Sequence, residues 1–472
     1  MATSSLISDA PDNRPSNIES TAILAGEGRT AISSGLKLFM WILAAASLLG
    51  MVGIVFRFLN YNGREEWGYY AATLSWMVTV FGGAPMVAIA PALTKANWVR
   101  PIARIASLAA VATSVAALLL IPMVLKLPPL TEFSEVLGDD VRRRSIWFDS
   151  PDYAPHFWNV LSLLTLAVVG MAMAYVMAIP DFAAIRDHGT GWKQRWGKKL
   201  ARGFYGRQQQ WEWLAMRIGI TGALYFAMLL FVNFLFSIDF AVSLVPGWKD
   251  SIFPFYHTLS SFQGGIAFVI IGIWAARRWG GMSKYMGHDQ MWNLGKLLLA
   301  TTLLWFYFFY SSYIVFWYGR SEADTATIKL LVSGPYIYVF WIVFLLVFIA
   351  PWWVMVWNKV RDSVWGPPIA AVLVLVGLLL DRIRIYVASW SAVPDDLALA
   401  TTPVIEKMPE TLWPDVFDIF IMFGLPALGL LSILLVTRLV PVASLWEIQQ
   451  SRLISKPIRF LRGHALLVGK PD

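Results

Sequence analysis

The chain has 472 residues, 57% of them hydrophobic and 14% charged, with a formal net charge of +8 and no cysteine. A soluble domain carries about 25% charged residues, so a water-soluble globule is excluded. The lack of thiols also excludes disulfides, thiolate-bound zinc and an iron–sulfur cluster held by this chain alone. The basic excess is of the kind that membrane topology produces, and it calls for no nucleic-acid partner.

Residues 1–34 are polar and partly acidic, with neither a basic leader nor a short apolar core, and read as a cytoplasmic tail rather than a cleaved signal peptide. Ten apolar runs follow, at about 35–59, 68–93, 102–126, 157–180, 211–238, 256–276, 291–318, 334–357, 367–388 and 416–437. Lipid tolerates only helices or closed barrels, and these runs are continuous rather than alternating, which excludes the barrel. The expected fold is therefore all-α and polytopic, with a transmembrane domain over 35–437 and a basic cytoplasmic tail over 438–472. No clean internal repeat is visible.

The loop 181–210 carries seven Lys and Arg residues. Placing it in the cytoplasm puts both termini there and divides the Lys and Arg residues as about 24 against about 10 on the other face. The outer face then displays two long loops, 127–156 and 389–415, rich in Pro, Trp and acidic residues. Loops of that length serve docking or function more often than mere connection. Many of the 24 Trp residues fall near span ends, as an interfacial belt requires.

Polar groups inside a bilayer are costly, so they mark candidate sites. In chain order, "SPDYAPHFWN" opens the fourth span with Tyr153, His156 and Asn159, the last two on one helical face. Such residues suit a quinone carbonyl or quinol hydroxyl, and they also suit a helix start. "FSIDFAVSLVPGWKDSIFPFYH" ends the fifth span on Asp239 and runs through Trp248 to His257. Here a proton-accepting carboxylate at a pocket mouth stands beside the plainer reading of an interfacial Asp and His. The seventh span carries Lys296, Tyr307, Tyr310, Ser311, Ser312 and Tyr313, a polar track or simply helix–helix hydrogen bonding. In the ninth, "LLLDRIRIY" sets Asp381 and Arg384 three apart for pairing, while α-helical spacing turns Arg382 elsewhere. This is an ion pair, a proton relay or the wall of a redox pocket.

His188, His288 and His464 fall in cytoplasmic segments, and His156 and His257 at the outer margin. No pair is placed to hold a haem across the membrane. A protein of this kind that handles electrons passes them to a partner carrying the cofactors.

The stretch "SIDFAVSLVPGWKDSIFPFY" resembles the signature of the polysulfide-reductase membrane-subunit, or NrfD-like, family. Within that family the likeness is to the quinol-site membrane subunit of alternative complex III. "GAPMVAIAPALTKANWVRPIARIASLAAV", "AIPDFAAIRD", "NLGKLLLATTLLW", "LDRIRIYVAS" and "RLVPVASLWEIQQ" follow in the family's order, over roughly residues 35–450.

The resemblance implies two four-helix bundles plus two added helices in a bacterial cytoplasmic membrane. It implies a quinol pocket, for menaquinol or another quinol, at the outer end of the first bundle. Asp239 corresponds to a family carboxylate near that pocket and Trp248 to a neighbouring aromatic, with Tyr153, His156, Asn159 and His257 around the headgroup. Electrons would pass to a periplasmic iron–sulfur, molybdopterin-like partner and on to multihaem cytochrome c. A second NrfD-like subunit and lipids would complete the complex. Buried acidic, basic and hydroxyl groups, here Asp381, Arg382, Arg384, Tyr307, Tyr310 and Lys296, would carry protons. Two departures stand out: Asn159 replaces a family Asp, and "LLLIPMVLKLPPL" lacks a histidine. An anchor and proton conduit without quinone chemistry is therefore the alternative, with a secondary transporter behind it. The chain alone is expected to catalyse nothing.

Overall fold

In the computed structural model the described residues are 34–448, apart from 61–62, 95, 97, 128–130, 135–137, 143–155, 285, 393–403, 406–407 and 445; the backbone of 455–460 and 463–468 is also described. Most of the expected tail 1–34 lies outside them. So does part of the expected C-terminal tail, whose described end is a hairpin of Ser455–Phe460 with Gly463–Val468.

The chain is a polytopic helical membrane protein. Among the described residues, nine helices are long and apolar enough to cross a membrane. They are Ser34–Leu59, Glu65–Leu93, Arg100–Leu125, Phe157–His188, Gln208–Leu244, Phe253–Arg278, Asp289–Gly319, Ile337–Val356 and Val416–Val436. The ninth span in chain order is a further helix, Gly366–Arg382, continued by a π-helical turn, Ile383–Val387, and then by Ala388–Ser391. Counted with the nine, it gives a helix at each of the ten apolar runs among the described residues.

Spans two to five pack as one four-helix bundle and spans six to nine as another. The first and tenth spans pair with each other and lie against the second and third. That pair is closed by Arg57, which bonds Glu66 at 3.1 Å, Asp415 at 2.8 Å and Asp418 at 3.0 Å. Such a desolvated charge holds only because several carboxylates surround it.

The bundles meet where the second and sixth spans cross. A Cβ on Gly83 would lie 1.9 Å from the Ser261 carbonyl oxygen, and one on Gly265 would lie 2.3 Å from the Gly83 carbonyl carbon. No side chain fits either position. Close backbone approach over small residues is how helices associate in lipid, where burial of apolar surface supplies little drive.

The loop 181–210 marks the basic end of the molecule. Within it Gly191–Leu200, "GWKQRWGKKL", is a helix with Trp192 and Trp196 half exposed. Its mixture of Trp and Lys suits the headgroup layer. The described residues predicted to form sites lie at or toward the opposite, far end, apart from Lys296.

Candidate functional site

At the far end of the first bundle, Asp239 sits in the last turn of Gln208–Phe240 and Asn159 in the first turns of His156–His188. Asn159 Nδ2 donates to Asp239 Oδ2 at 2.7 Å, and both residues are 2% exposed. Asp239 is thus not the solvated interfacial carboxylate of the plainer reading. It is a buried acceptor held by an amide, and the pair ties the fourth span to the fifth. Phe157 and Trp158, the preceding residues, are exposed on the outside of the bundle. Tyr153 lies outside the described residues, as does the side chain of His156.

His257 is fully buried rather than anchored at the interface. Its Nδ1 lies 3.1 Å from Asn233 Oδ1, and its Nε2 lies 3.1 Å from Ser75 Oγ and 2.9 Å from the Tyr386 hydroxyl. Asn233 Nδ2 donates to the Leu229 carbonyl at 2.8 Å, which fixes the amide with its oxygen toward the ring. An amide oxygen only accepts, so Nδ1 carries the proton and the Nε2 lone pair accepts from a hydroxyl. His257 therefore joins the second, fifth, sixth and ninth spans.

Two expected outcomes follow from this geometry. Asn233→Leu leaves the Nδ1–H without an acceptor and should cost about 1–3 kcal/mol. Ser75→Ala should cost much less, because Tyr386 still serves the one lone pair. Thermal unfolding of the two variants in detergent checks the difference.

Adjacent Tyr256 donates to Asp381 Oδ2 at 2.8 Å. Asp381 also accepts from Arg384 Nη2 at 2.7 Å and from Arg382 Nη1 at 3.1 Å. The expected Asp381–Arg384 pair is present, but Arg382 does not point elsewhere: it is fully buried at the same carboxylate. The cause is local. Arg382 is the last α-helical residue, and its long side chain reaches back to the carboxylate of its neighbour, while the π-helical turn that follows, Ile383–Val387, is buried at every residue.

The hydroxyls of the seventh span divide between two faces, with Ser312 and Tyr313 on a cavity wall and the other tyrosines outside. Tyr307 and Tyr310 are 61% and 50% exposed on the outside of the bundle. Lys296, near the basic end, lies over the Trp292 ring at 4.9 Å. None of the three reaches the Asp381 cluster. The inward face instead carries Trp305, Phe309, Ser312 and Phe316, spaced by three or four residues. Ser312 donates to Asp250, whose other oxygen caps the sixth span by accepting from Ile252 and Phe253 at 2.8 Å and 3.0 Å.

Trp248 follows Gly247, whose φ of +76° lies in the left-handed region and makes the turn back into the sixth span. The Trp248 ring packs on Phe253 at 4.8 Å. It lines a cavity between the sixth, seventh and ninth spans and the segment 327–332 that precedes the eighth, with Arg384 and Asp250; Asn159 and Asp239 do not line it. The resemblance sets Trp248 near the Asp239 pocket; in the structure its ring lies against Phe253 at the start of the sixth span.

At the basic end lies a buried cluster that sequence reading did not single out. Arg104 in the third span pairs with Asp181 in the fourth, both fully buried. The chain returns there after the tenth span, with Ser444 Oγ 3.4 Å from Asp181 and Trp446 Nε1 donating to the Met177 carbonyl at 3.2 Å. Glu447 is buried beside them. Burial pushes its carboxyl up to about 8, and nearby Asp181 adds to this, while Arg104, Ser444 and Arg100 partly offset it. Between about 4.5, the ordinary value, and about 8 the folded state holds a proton that the opened segment releases. Docking of this segment should therefore weaken as pH rises through that window, by up to about tenfold in opening constant per pH unit. Hydrogen exchange of residues 440–448, corrected for intrinsic rates, should show this slope, and Glu447→Gln should flatten it.

The family model described as "Polysulphide reductase, NrfD" matches residues 57–394, more than two thirds of the chain. The match covers both four-helix bundles and leaves out the tenth span and nearly all of the first. No curated protein matches the chain.

Proposed function

The chain belongs to the NrfD polysulphide reductase family, and on that premise we propose that it is the membrane subunit of a quinol:electron-acceptor oxidoreductase of the alternative complex III kind. The observation that carries this reading is the buried Asn159–Asp239 pair, 2.7 Å apart at the far end of the first bundle. A lipid-soluble quinol releases two electrons and two protons when oxidised. Asp239 supplies a base within the low-dielectric end of the bundle, where proton transfer needs a group at hydrogen-bond distance. Asn159 fixes the orientation of that carboxylate. His156 and Tyr153, at the start of the same span, would complete the contacts to the headgroup.

The electrons leave to a metal-bearing partner docked on the far end, an iron–sulfur, molybdopterin-like subunit with multihaem cytochrome c beyond it. Positive charge concentrates at the opposite end, which would place that partner outside the cell membrane and both termini in the cytoplasm. The extra first and tenth spans, flanking the matched region, support the finer likeness to alternative complex III. The buried Asp381, Arg382 and Arg384, with Tyr256 bonded to Asp381, are the groups proposed to carry protons in the second bundle. Menaquinone is the substrate proposed.

A second reading, an anchor and proton conduit without quinone chemistry, is favoured by one residue: Asn159 cannot take a proton where relatives carry a carboxylate. Isolation of the native complex tests the main reading. Co-purifying iron–sulfur or multihaem chains are expected, and a lone oligomer of this chain would contradict it.

A further inference from the structure

At the basic end the fourth span stops at His188 and the tenth at Val436. The helix Gly191–Leu200 lies against the fourth. A Cβ on Gly197 would lie 2.8 Å from the Arg186 amide nitrogen and 3.0 Å from the Phe182 carbonyl oxygen. The helix is therefore pressed backbone to backbone on the last turns of that span, at the depth where lipid gives way to water. A groove runs alongside this contact. Its walls are Phe182 and Ile185 of the fourth span, Trp192, Trp196 and Leu200 of the helix, and Leu439 just past the tenth span. Both tryptophans are half exposed, as is Leu439, and Leu435, one turn earlier, is exposed as well. The groove thus opens toward the apolar surface that the spans turn to lipid.

Charge says which lipid fits. Lys193 is the only charged residue among the described residues that line the groove. Lys199 stands on the same stripe as the two tryptophans, with Nζ over the Trp196 ring at 5.6 Å. Arg195 and Lys198 are exposed beside them. Between Asp187 and Glu212 the chain holds six Lys and Arg residues and no acid. Asp187 is itself taken by Arg186, at 2.7 Å and 2.9 Å, and Glu212 accepts from Gln208 at 3.1 Å. No acid within the stretch answers its positive charge. A zwitterionic lipid carries its own cation next to its phosphate, whereas an anionic lipid offers the phosphate alone, and basic residues at a membrane surface favour the latter. An acidic soluble partner would leave the tryptophans and Leu439 unmatched. Tryptophan at this level suits the boundary between headgroup and chain.

We propose that this groove is a headgroup-selective site for an anionic phospholipid of the leaflet at the basic end. The Lys193 and Lys199 ammonium groups take the phosphate, and an acyl chain lies over Trp192 and Trp196 toward Leu439. The lipid would tie the helix, the fourth span and the end of the tenth together. The site takes no part in electron or proton transfer and does not depend on the quinol reading.

The test uses the full chain, with its co-purifying subunits, in phosphatidylcholine nanodiscs. Phosphatidylglycerol and phosphatidylcholine probes, each with a diazirine in one acyl chain, are added separately and photoactivated. Peptides covering 182–200 and 435–442 are expected to take several-fold more label from the phosphatidylglycerol probe. Excess unlabelled phosphatidylglycerol should displace that label, and inorganic phosphate should not. Lys193→Gln with Lys199→Gln should lower it by about 25-fold, about five-fold for each basic residue at an anionic lipid. Lys193→Arg with Lys199→Arg should keep it. Label on the first span, Ser34–Leu59, whose outward side chains are exposed, reports lipid that merely surrounds the protein and should be the same in every variant. Equal labelling by both probes would make the groove ordinary boundary lipid, and displacement by inorganic phosphate would make it a free-anion site. Either result, absence of label in these peptides, or a double Gln variant that labels like the wild type overturns the proposal.

Discussion

Asp239→Asn should slow quinol oxidation by the assembled complex by about 10²–10⁴-fold, the usual contribution of a positioned base. The substitution keeps shape and a hydrogen-bonding carbonyl, so Asn159 Nδ2 still has an oxygen to donate to and the fourth and fifth spans stay joined. Assembly should be unchanged while turnover falls. Steady-state oxidation of a short-chain quinol, measured beside the subunit composition of the purified complex, separates the two effects. A variant that turns over at the wild-type rate removes Asp239 from the mechanism and leaves the anchor reading in its place.

The second large effect is on stability. Asp381 is the shared partner of Arg382 and Arg384, and it also accepts from Tyr256. Removing it strands two guanidinium groups in a desolvated interior, and breaking one buried pair alone costs about 3–5 kcal/mol. Asp381→Leu should therefore lower the yield and melting temperature of the protein sharply. Combining it with Arg382→Leu and Arg384→Leu should recover much of the loss, because no uncompensated charge is left. Thermal melts of the single and triple variants decide the matter. If the triple variant melts no higher than the single one, the damage comes from lost shape rather than from orphaned charge.

The architecture was legible because a bilayer leaves the backbone so few options. Continuous apolar runs yield helices, and each expected run holds one among the described residues, nine of them long and apolar enough to span. The ninth span shows where that reading stops. Its charges announce an interior cluster, but α-helical spacing alone turns Arg382 elsewhere, because spacing takes no account of a long side chain reaching back to the carboxylate beside it. In the seventh span chemistry alone groups Tyr307 and Tyr310 with the inward hydroxyls, whereas the periodicity of Trp305, Phe309, Ser312 and Phe316 points to the opposite face. The resemblance places Trp248 near the Asp239 pocket, whereas the turn at Gly247 sets its ring against Phe253 at the start of the sixth span. Partners such as Ser75 and Tyr386, 182 and 129 residues from His257, could not be paired from sequence by spacing at all. The same holds for the return of Glu447 to Arg104 and Asp181, although an Arg and an Asp at similar depth in the third and fourth spans were a usable signal.

The most direct test of the central claim is to locate the headgroup of a tightly bound quinol-site inhibitor by cryo-electron microscopy of the intact complex. The account places a polar headgroup atom within about 2.6–3.2 Å of the Asp239 carboxylate, on the side where the metal-bearing partner docks. A headgroup at the basic end beside Arg104 and Asp181, or acyl chains alone around Asn159 and Asp239, would contradict it.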